Sequence, residues 1–335
     1  MLLKKGSAVT VAVATALALG AQAGSARVAA QGNSLANATL FVDPYSDARR
    51  QADAWNQSRP ADAQLLEKIA SQPTADWFTG GSGDIEAAVR SRVEQLTAAG
   101  ALPVFVATNM PGDCRKSSRV GTRAQLAYRR WISAVARGIG GNAAVVILEP
   151  NALARLVCLS PREQNVRLRL LRDAVNLLAA RPNVTVYLDG GHSAWRPARE
   201  MATMLWRAGV RRARGFSLNV GNYGYTTHEI RYGKAISGRL ARMSRTLRGK
   251  RFIIDTSRNG LGPLPYAQQK KPVDAWCNQS GRALGPRPTG RTGQPLVDAF
   301  LWIKHPGDSD GPCNGAGRRH WWPEYALGLA QRAAY

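Results

Sequence analysis

The sequence predicts an α/β fold built on a parallel sheet, and three observations carry that expectation. Short runs rich in Val, Ile, Leu and Phe recur along the chain, amphipathic helical patterns lie between them, and most runs stop at a polar residue. Continuous apolar runs suit strands covered on both faces, as parallel strands are. Seven such runs stand at residues 39–42, 104–107, 144–148, 184–188, 215–220, 252–254 and 300–303. The alternation with helices implies right-handed crossovers. A length of 335 residues allows two average domains, or one α/β barrel of ordinary size after a leader.

The leader comes first. Lys4 and Lys5 precede an apolar stretch from Ala8 to Leu19, too short to span a bilayer, and Ala21-Gln22-Ala23 offers a small-residue cleavage site. Residues 1–26 therefore read as a signal peptide with a short lead-in, and the folded domain is expected over 36–335 of a secreted chain. No later run is long and uncharged enough to cross a membrane, so no membrane insertion is expected.

The helices have readable ends. Ile85, Val89, Val93 and Leu96 recur at helical spacing and stop at Ala99-Gly100. Ser160-Pro161-Arg162-Glu163 has the form of a capping box with proline at the first helical position. It opens a helix whose Val166, Leu170, Leu171, Ala174 and Leu178 share one face and which ends before Pro182.

Lys and Arg number 46 against 22 Asp and Glu, a formal charge of +24. Such an excess suits an anionic partner, such as an anionic glycan or wall polymer. It is not blocky in sequence and comes with no helix-turn-helix, zinc-finger or RNA-binding aromatic signature, so no nucleic acid is expected and a basic solvated surface is the simpler reading. Cys114, Cys158, Cys277 and Cys313 in an exported chain point to two disulfides, with three connectivities open. No C-x-x-C or H-E-x-x-H occurs, and His192, His228, His305 and His320 are scattered, so neither a metal nor a cofactor is expected.

The ends of the runs carry the chemistry. Asp43, Glu149, Asp189, Asn219, Asp255 and Lys304 each follow or close a run. In a barrel those ends converge on one face; in a doubly wound sheet they spread along an edge. No dinucleotide fingerprint follows the first run, and Gly80-Gly81-Ser82-Gly83 lacks the Lys-Ser/Thr of a phosphate loop. Several carboxylates beside aromatic residues suggest acid–base work on an uncharged polyol such as a sugar. Capping a helix explains any one of these acids; their number on one rim favours chemistry.

The motifs at these ends resemble glycoside hydrolase family 6, the cellulases that include endoglucanases and cellobiohydrolases. They are Phe41-Val42-Asp43-Pro44, Asn109-Met110-Pro111-Gly112-Asp113-Cys114, Val146-Ile147-Leu148-Glu149-Pro150 and Tyr187-Leu188-Asp189-Gly190-Gly191-His192. Further along stand Asn219-Val220-Gly221-Asn222-Tyr223, Ile253 to Gly260, Trp276-Cys277-Asn278, and Trp302-Ile303-Lys304 with Asp308-Ser309-Asp310-Gly311. The resemblance runs from about Thr39 to the C-terminus. It implies a distorted, incomplete parallel (β/α) barrel of about seven strands in one domain. It also implies a monomer that inverts the anomeric centre of β-1,4-glucan, and disulfides Cys114–Cys158 and Cys277–Cys313.

The resemblance also implies roles and shows departures. The family's catalytic acid directly follows Glu-Pro, and here that position is Asn151, whose amide has no proton to give. The second-strand pattern Tyr-Asn-x-Pro-Gly-Arg-Asp-Cys has Thr108 for its Tyr and lacks its Arg, while Asp113 remains. Asp310 matches the carboxylate that serves as base or supports a water-mediated base, with Lys304 and Arg258 as its basic neighbours. Asp189 matches a further rim carboxylate, and Asn219 is assigned with it to substrate. Trp195 and Trp276 match indoles that hold glucosyl units, but Arg196-Pro197-Ala198 stand where a second tryptophan often follows the first. Trp77, Trp131, Trp321 and Trp322 are as readily explained by packing. A β-1,4-glucanase impaired at Asn151 is the leading expectation; a non-catalytic carbohydrate-binding protein and a hydrolase for another glycan are the alternatives.

Overall fold

The computed structural model describes residues 32–112, 114, 120–318 and 320–335. The signal-peptide segment 1–26 and Asp113 lie outside the described residues. Helices α1 (Asp47–Trp55) and α2 (Pro60–Ala70) lead into β1 (Asp76–Thr79), α3 (Ile85–Ala98), β2 (Val104–Thr108), α4 (Thr122–Ile139) and β3 (Ala144–Leu148). The pattern continues through α5 (Pro161–Ala179), β4 (Val184–Asp189), α6 (Ala198–Arg207), β5 (Gly215–Leu218), α7 (Thr226–Met243), β6 (Arg251–Asp255), β7 (Val297–Leu301) and α8 (Pro323–Gln331).

The seven strands lie in the order of the chain, and every neighbouring pair is parallel. A sheet wound in one direction by successive crossovers curls on itself, and this one stops short of full closure. No ladder joins β1 to β7 among the described residues. Three hydrogen bonds cross the seam instead: Ala75 N–H to Trp302 O at 3.1 Å, the Trp77 indole N–H to Ile303 O at 2.7 Å, and His305 Nε2 to Ala75 O at 2.7 Å. The incomplete barrel is the expected fold.

Side-chain alternation divides the core. Val104, Val106, Val145, Ile147, Tyr187 and Ile253 point into the barrel. Phe105, Val146, Leu148, Phe216 and Phe252 point outward under the helices. The expected faces of α3 and α5 are buried, and both bonds of the Ser160/Glu163 capping box form. Both disulfides join the cysteines that the resemblance pairs, closing 44 and 36 residues.

Two strand expectations need correction. Residues 39–42 form no strand; Thr39 O accepts one bond from Leu102 N–H at 2.9 Å, and the segment runs beside the start of β2. The first strand is β1, whose sequence Asp76-Trp77-Phe78-Thr79 is not continuously apolar because an edge strand is only partly covered. The last strand begins at Val297, earlier than the run at 300–303, because buried Asp298 interrupts its apolar pattern. Asp298 is tolerated there by Arg214 at 2.9 Å, Arg251 at 2.5 Å and the Tyr187 hydroxyl at 2.7 Å.

Gly215 at the start of β5 lies so close to β6 that a Cβ would stand 1.7 Å from Arg251 O. The obstacle is backbone and cannot rotate away. Gly215→Ala should therefore lower the melting temperature by at least about 4 °C, the effect of ~2 kcal/mol on a domain of this order of size, measured by calorimetry.

Candidate active site

Parallel strands end on backbone N–H groups that the sheet leaves unpaired, and in this barrel buried carboxylates take them. Glu149, immediately after β3, is 1% exposed and reaches back to the loop after β2. It accepts Asn109 N–H at 2.9 Å and Met110 N–H at 3.1 Å. Asp189 closes β4 and accepts Asn151 N–H at 2.8 Å and Gly191 N–H at 3.1 Å, with the Ser217 hydroxyl on its other oxygen. Asp255 closes β6 and accepts Gly221 N–H at 2.8 Å, Ser257 N–H at 2.9 Å and Lys304 N–H at 3.0 Å. From α7, Glu229 accepts both N–H and hydroxyl of Ser193, in the loop that carries Trp195.

Burial sets the proton affinity of these groups. It pushes Glu149 and Glu229 up to about 7 and Asp189 up to about 6, against the N–H donors that favour the charged form. Asp255 is raised for the same reason. The set of rim acids read from the sequence is thus mostly a set of loop anchors. Asp189 is 1% exposed with both oxygens engaged beneath Asn151, which makes it a support for that residue. Asn219 is also fully buried: its amide bonds Asp255 O at 2.8 Å and Gly224 N–H at 2.9 Å, fastening the loop after β5. Asp43 leaves the rim altogether, pairing with Arg92 at 3.1 Å beside Asp76 at the opposite end of β1.

Asp310 differs from all of these. Its carboxylate meets Arg258 at 2.8 Å and Lys304 at 3.6 Å, and it accepts Asn278 N–H at 2.9 Å. Burial alone would raise it, but the Arg258 charge and hydrogen bonds, Lys304 and Asn278 together hold it below the usual carboxylate range. Arg258 is itself fixed, 1% exposed, over the Tyr223 ring at 4.3 Å and bonded to Gly221 O. The result is a carboxylate kept ionised at the C-terminal end of the barrel.

Asn278 is a residue that sequence reasoning quoted without a role. Its backbone is in the left-handed region at φ 42°, its Oδ1 accepts Asp310 N–H at 2.8 Å, and its Nδ2 reaches Gly311 O and Cys313 O. With the adjacent Cys277–Cys313 disulfide it holds the Asp310 loop at two points. Glu229 was missed as well, because one acid in the first turn of a helix reads as a complement to the helix dipole.

Asn151 sits at φ 70°, half-buried, with its N–H on Asp189. Trp276 is 40% exposed beside Cys277, free to offer a flat face. Trp195 is partly buried, its ring 5.4 Å from His192. Four other tryptophans pack: Trp131 in the main core, Trp321 and Trp322 against the α8 cluster, and Trp77 across the barrel seam. Tyr223 is buried under Arg258, while Tyr225 is 43% exposed.

An open parallel barrel with an ionised carboxylate and tryptophans at its C-terminal rim has the build of a polysaccharide-processing glycosidase. Residues 35–333 match the family model of Glycosyl hydrolases family 6, and the chain belongs to that family. It is 39% identical over 300 residues to Endoglucanase A of Thermobispora bispora, covering 88% of this chain and 62% of that protein. It is also 39% identical over 280 residues to Endoglucanase 1 of Streptomyces halstedii, covering 82% of each. The chain thus spans less than two thirds of the length of the first of these relatives. A solved endoglucanase of Mycobacterium tuberculosis, in complex with methyl-cellobiosyl-4-deoxy-4-thio-β-D-cellobioside, superposes with a TM-score of 0.78 at 41% identity over 90% of this chain and 99% of that one.

The anchors give stability a pH dependence. A carboxylate with a raised folded value keeps its proton where the unfolded chain has lost it, so it weakens folding as pH climbs between the two values. For Glu149 and Glu229 that window runs from 4.5 to about 7, and for Asp189 from 3.8 to about 6. His192, lowered by burial from 6.5 to about 4, acts in the opposite sense, one group against three. The melting temperature should fall by at least ~2 °C from pH 5 to pH 7.5, the shift of about 1 kcal/mol, and Glu229→Gln should flatten that fall. A steady rise over the same range would contradict the buried anchors.

Proposed function

We propose that this chain is a secreted β-1,4-glucan hydrolase of the inverting type, slowed because an amide stands where its family carries the acid. The observation that carries the reading is Asp310, held ionised by Arg258 and Lys304 beside a stapled loop and an exposed Trp276. Inversion needs a water activated on one face of the sugar and a proton delivered to the leaving oxygen on the other. Asp310 fits the first task, directly or by supporting the charge of a water chain. Asn151 occupies the place of the second and can donate a hydrogen bond there, not a proton. The relatives that are endoglucanases, one of them bound to a thio-cello-oligosaccharide, support β-1,4-glucan as the substrate class.

Export rests on the leader at residues 1–26. Asp113, which precedes Cys114 in the sequence, is the candidate for a substitute acid, because the loop lacks one residue of the family pattern.

Asn151→Asp should raise turnover of soluble β-glucan by roughly 10²–10⁴-fold, the usual contribution of a positioned acid, and much less on an aryl cellobioside whose phenolate leaves unaided. If Asp113 has taken over the role, Asp113→Ala abolishes wild-type turnover while Asn151→Ala leaves it unchanged. Wild-type hydrolysis indifferent to both substitutions would overturn the assignment. No wild-type turnover on either substrate, with activity in Asn151→Asp, would identify a glucan-binding protein instead.

Binding has its own check. Trp276→Ala should weaken cellotetraose by about 1–3 kcal/mol in calorimetry, the scale of a lost aromatic contact. Unchanged affinity would place the sugar away from this rim.

A further inference from the structure

The charge that is spread through the sequence is gathered by the fold. Between residues 201 and 254 there are twelve Lys and Arg and one acid, Glu229, which is fully buried. This stretch contains most of α6, all of α7 and β5, and most of β6. Helices that return a parallel chain put their C-termini beside the N-terminal ends of the following strands. The turns 208–214 and 244–250 therefore lie at the end of the barrel opposite the catalytic rim. They touch: Lys250 Nζ bonds Arg211 O at 3.0 Å, and α7 packs on α6.

At this corner Arg211, Arg212, Arg242, Arg245 and Arg248 are exposed and have no acidic partner among the described residues. Elsewhere several arginines meet acids, as in Arg59–Glu324, Arg129–Asp173 and Arg137–Glu86, whereas Glu229, the one acid of this stretch, is buried and faces Ser193. The helix dipole accounts for a cation in the last turn of each helix, Arg207 and Arg242, and not for the rest. The corner repels its own charge: Lys250 is pushed down to about 8, by burial first and then by Arg214 and Arg211. Beside the arginines stand two exposed apolar groups, Trp206 at 50% and Met243 at 41%.

We propose that this corner is a second binding surface, for an anionic glycan, separate from the catalytic rim. Guanidinium forks suit the paired oxygens of carboxylate or phosphate, and the Trp206 indole offers a flat face to a sugar ring. The exposed cations here are nearly all Arg, and only two apolar groups accompany them. That composition fits oxyanions with paired oxygens on a saccharide chain better than insertion into lipid, which needs a broader apolar face. Because the corner is on the opposite end of the barrel, a chain bound there leaves the catalytic rim open.

The test uses the mature protein with two fluorescent probes, an oligogalacturonate carrying carboxylates and an oligo(glycerol phosphate) carrying phosphates, with neutral dextran as control. The triple variant Arg211→Gln/Arg245→Gln/Arg248→Gln is compared with Arg90→Gln/Arg129→Gln/Arg137→Gln, which removes equal charge elsewhere. Wild type should bind at least one anionic probe and not dextran, and rising salt should weaken it steeply. The corner variant should lose about tenfold or more in affinity while the control stays within about twofold, a difference set by three local ion contacts. Which probe binds tells carboxylate from phosphate. Unchanged melting temperature and cello-oligosaccharide affinity in the corner variant would show that fold and rim are intact. Equal loss in both triples would reduce the effect to net charge and overturn the proposal. So would absence of binding to either probe, or preference for phosphatidylglycerol vesicles or duplex DNA over both.

Discussion

The rim of this barrel depends on carboxylates that accept backbone N–H groups in a dry interior. An unpaired N–H buried among side chains costs on the order of 1–3 kcal/mol, and the loops after parallel strands carry several in a row. One carboxylate with two oxygens can satisfy three or four of them, which no neutral side chain of that size does. Asp255 does this for the loops after β5, β6 and β7 together, and Asp189 for the loops after β3 and β4. The cost is desolvation of a charge, visible in the raised proton affinities, and the N–H groups offset it without any cation. The loops are fixed to one another by their acids, and the sheet can therefore stay open at the β1–β7 seam without loosening the rim.

Asp310 is stabilised by the opposite device. It stands on a loop rather than at a strand end, and full charges from Arg258 and Lys304 face it. A guanidinium that is itself buried and hydrogen-bonded to Gly221 O has little freedom to move away. The anchors hold geometry, with proton affinities raised by burial to about 7 for Glu149 and Glu229; Asp310 holds charge. One rim thus contains carboxylates of two kinds, and the kind that faces cations stays ionised.

How legible this was follows from where each signal lies. The apolar runs that became β2, β3, β4 and β6 are central strands, covered on both faces, and they read directly. β1 was missed because an edge strand needs no continuous apolar run, and residues 39–42 were mistaken for it because four apolar or β-branched residues look the same in a segment that makes one backbone bond and no ladder. The acids at strand ends were visible as residues, but whether an acid faces solvent or the neighbouring loop is decided by backbone N–H groups that leave no trace in the sequence. Asn219 shows this best. Its motif marks a position where left-handed backbone, φ 64°, and a buried amide are both needed, and that is a folding requirement. Asp310, Arg258, Lys304 and Asn278 come from three separated segments, and only the resemblance brought the first three together.

That separation of anchors from chemistry bears on Asn151. Its position needs left-handed backbone, and Asn and Asp are the non-glycine residues that adopt it most readily, so replacing one with the other leaves the backbone where it was. The contact to Asp189 is made by the backbone N–H, which the side chain does not affect. The loop is further held by Cys158 through its disulfide and by Arg167, whose guanidinium bonds Ala152 O at 3.3 Å and Gly112 O at 2.7 Å. Among the described residues, these backbone contacts hold position 151 whichever of the two side chains it carries. An exchange of Asn for Asp at residue 151 therefore changes one side-chain atom in a frame that keeps its shape.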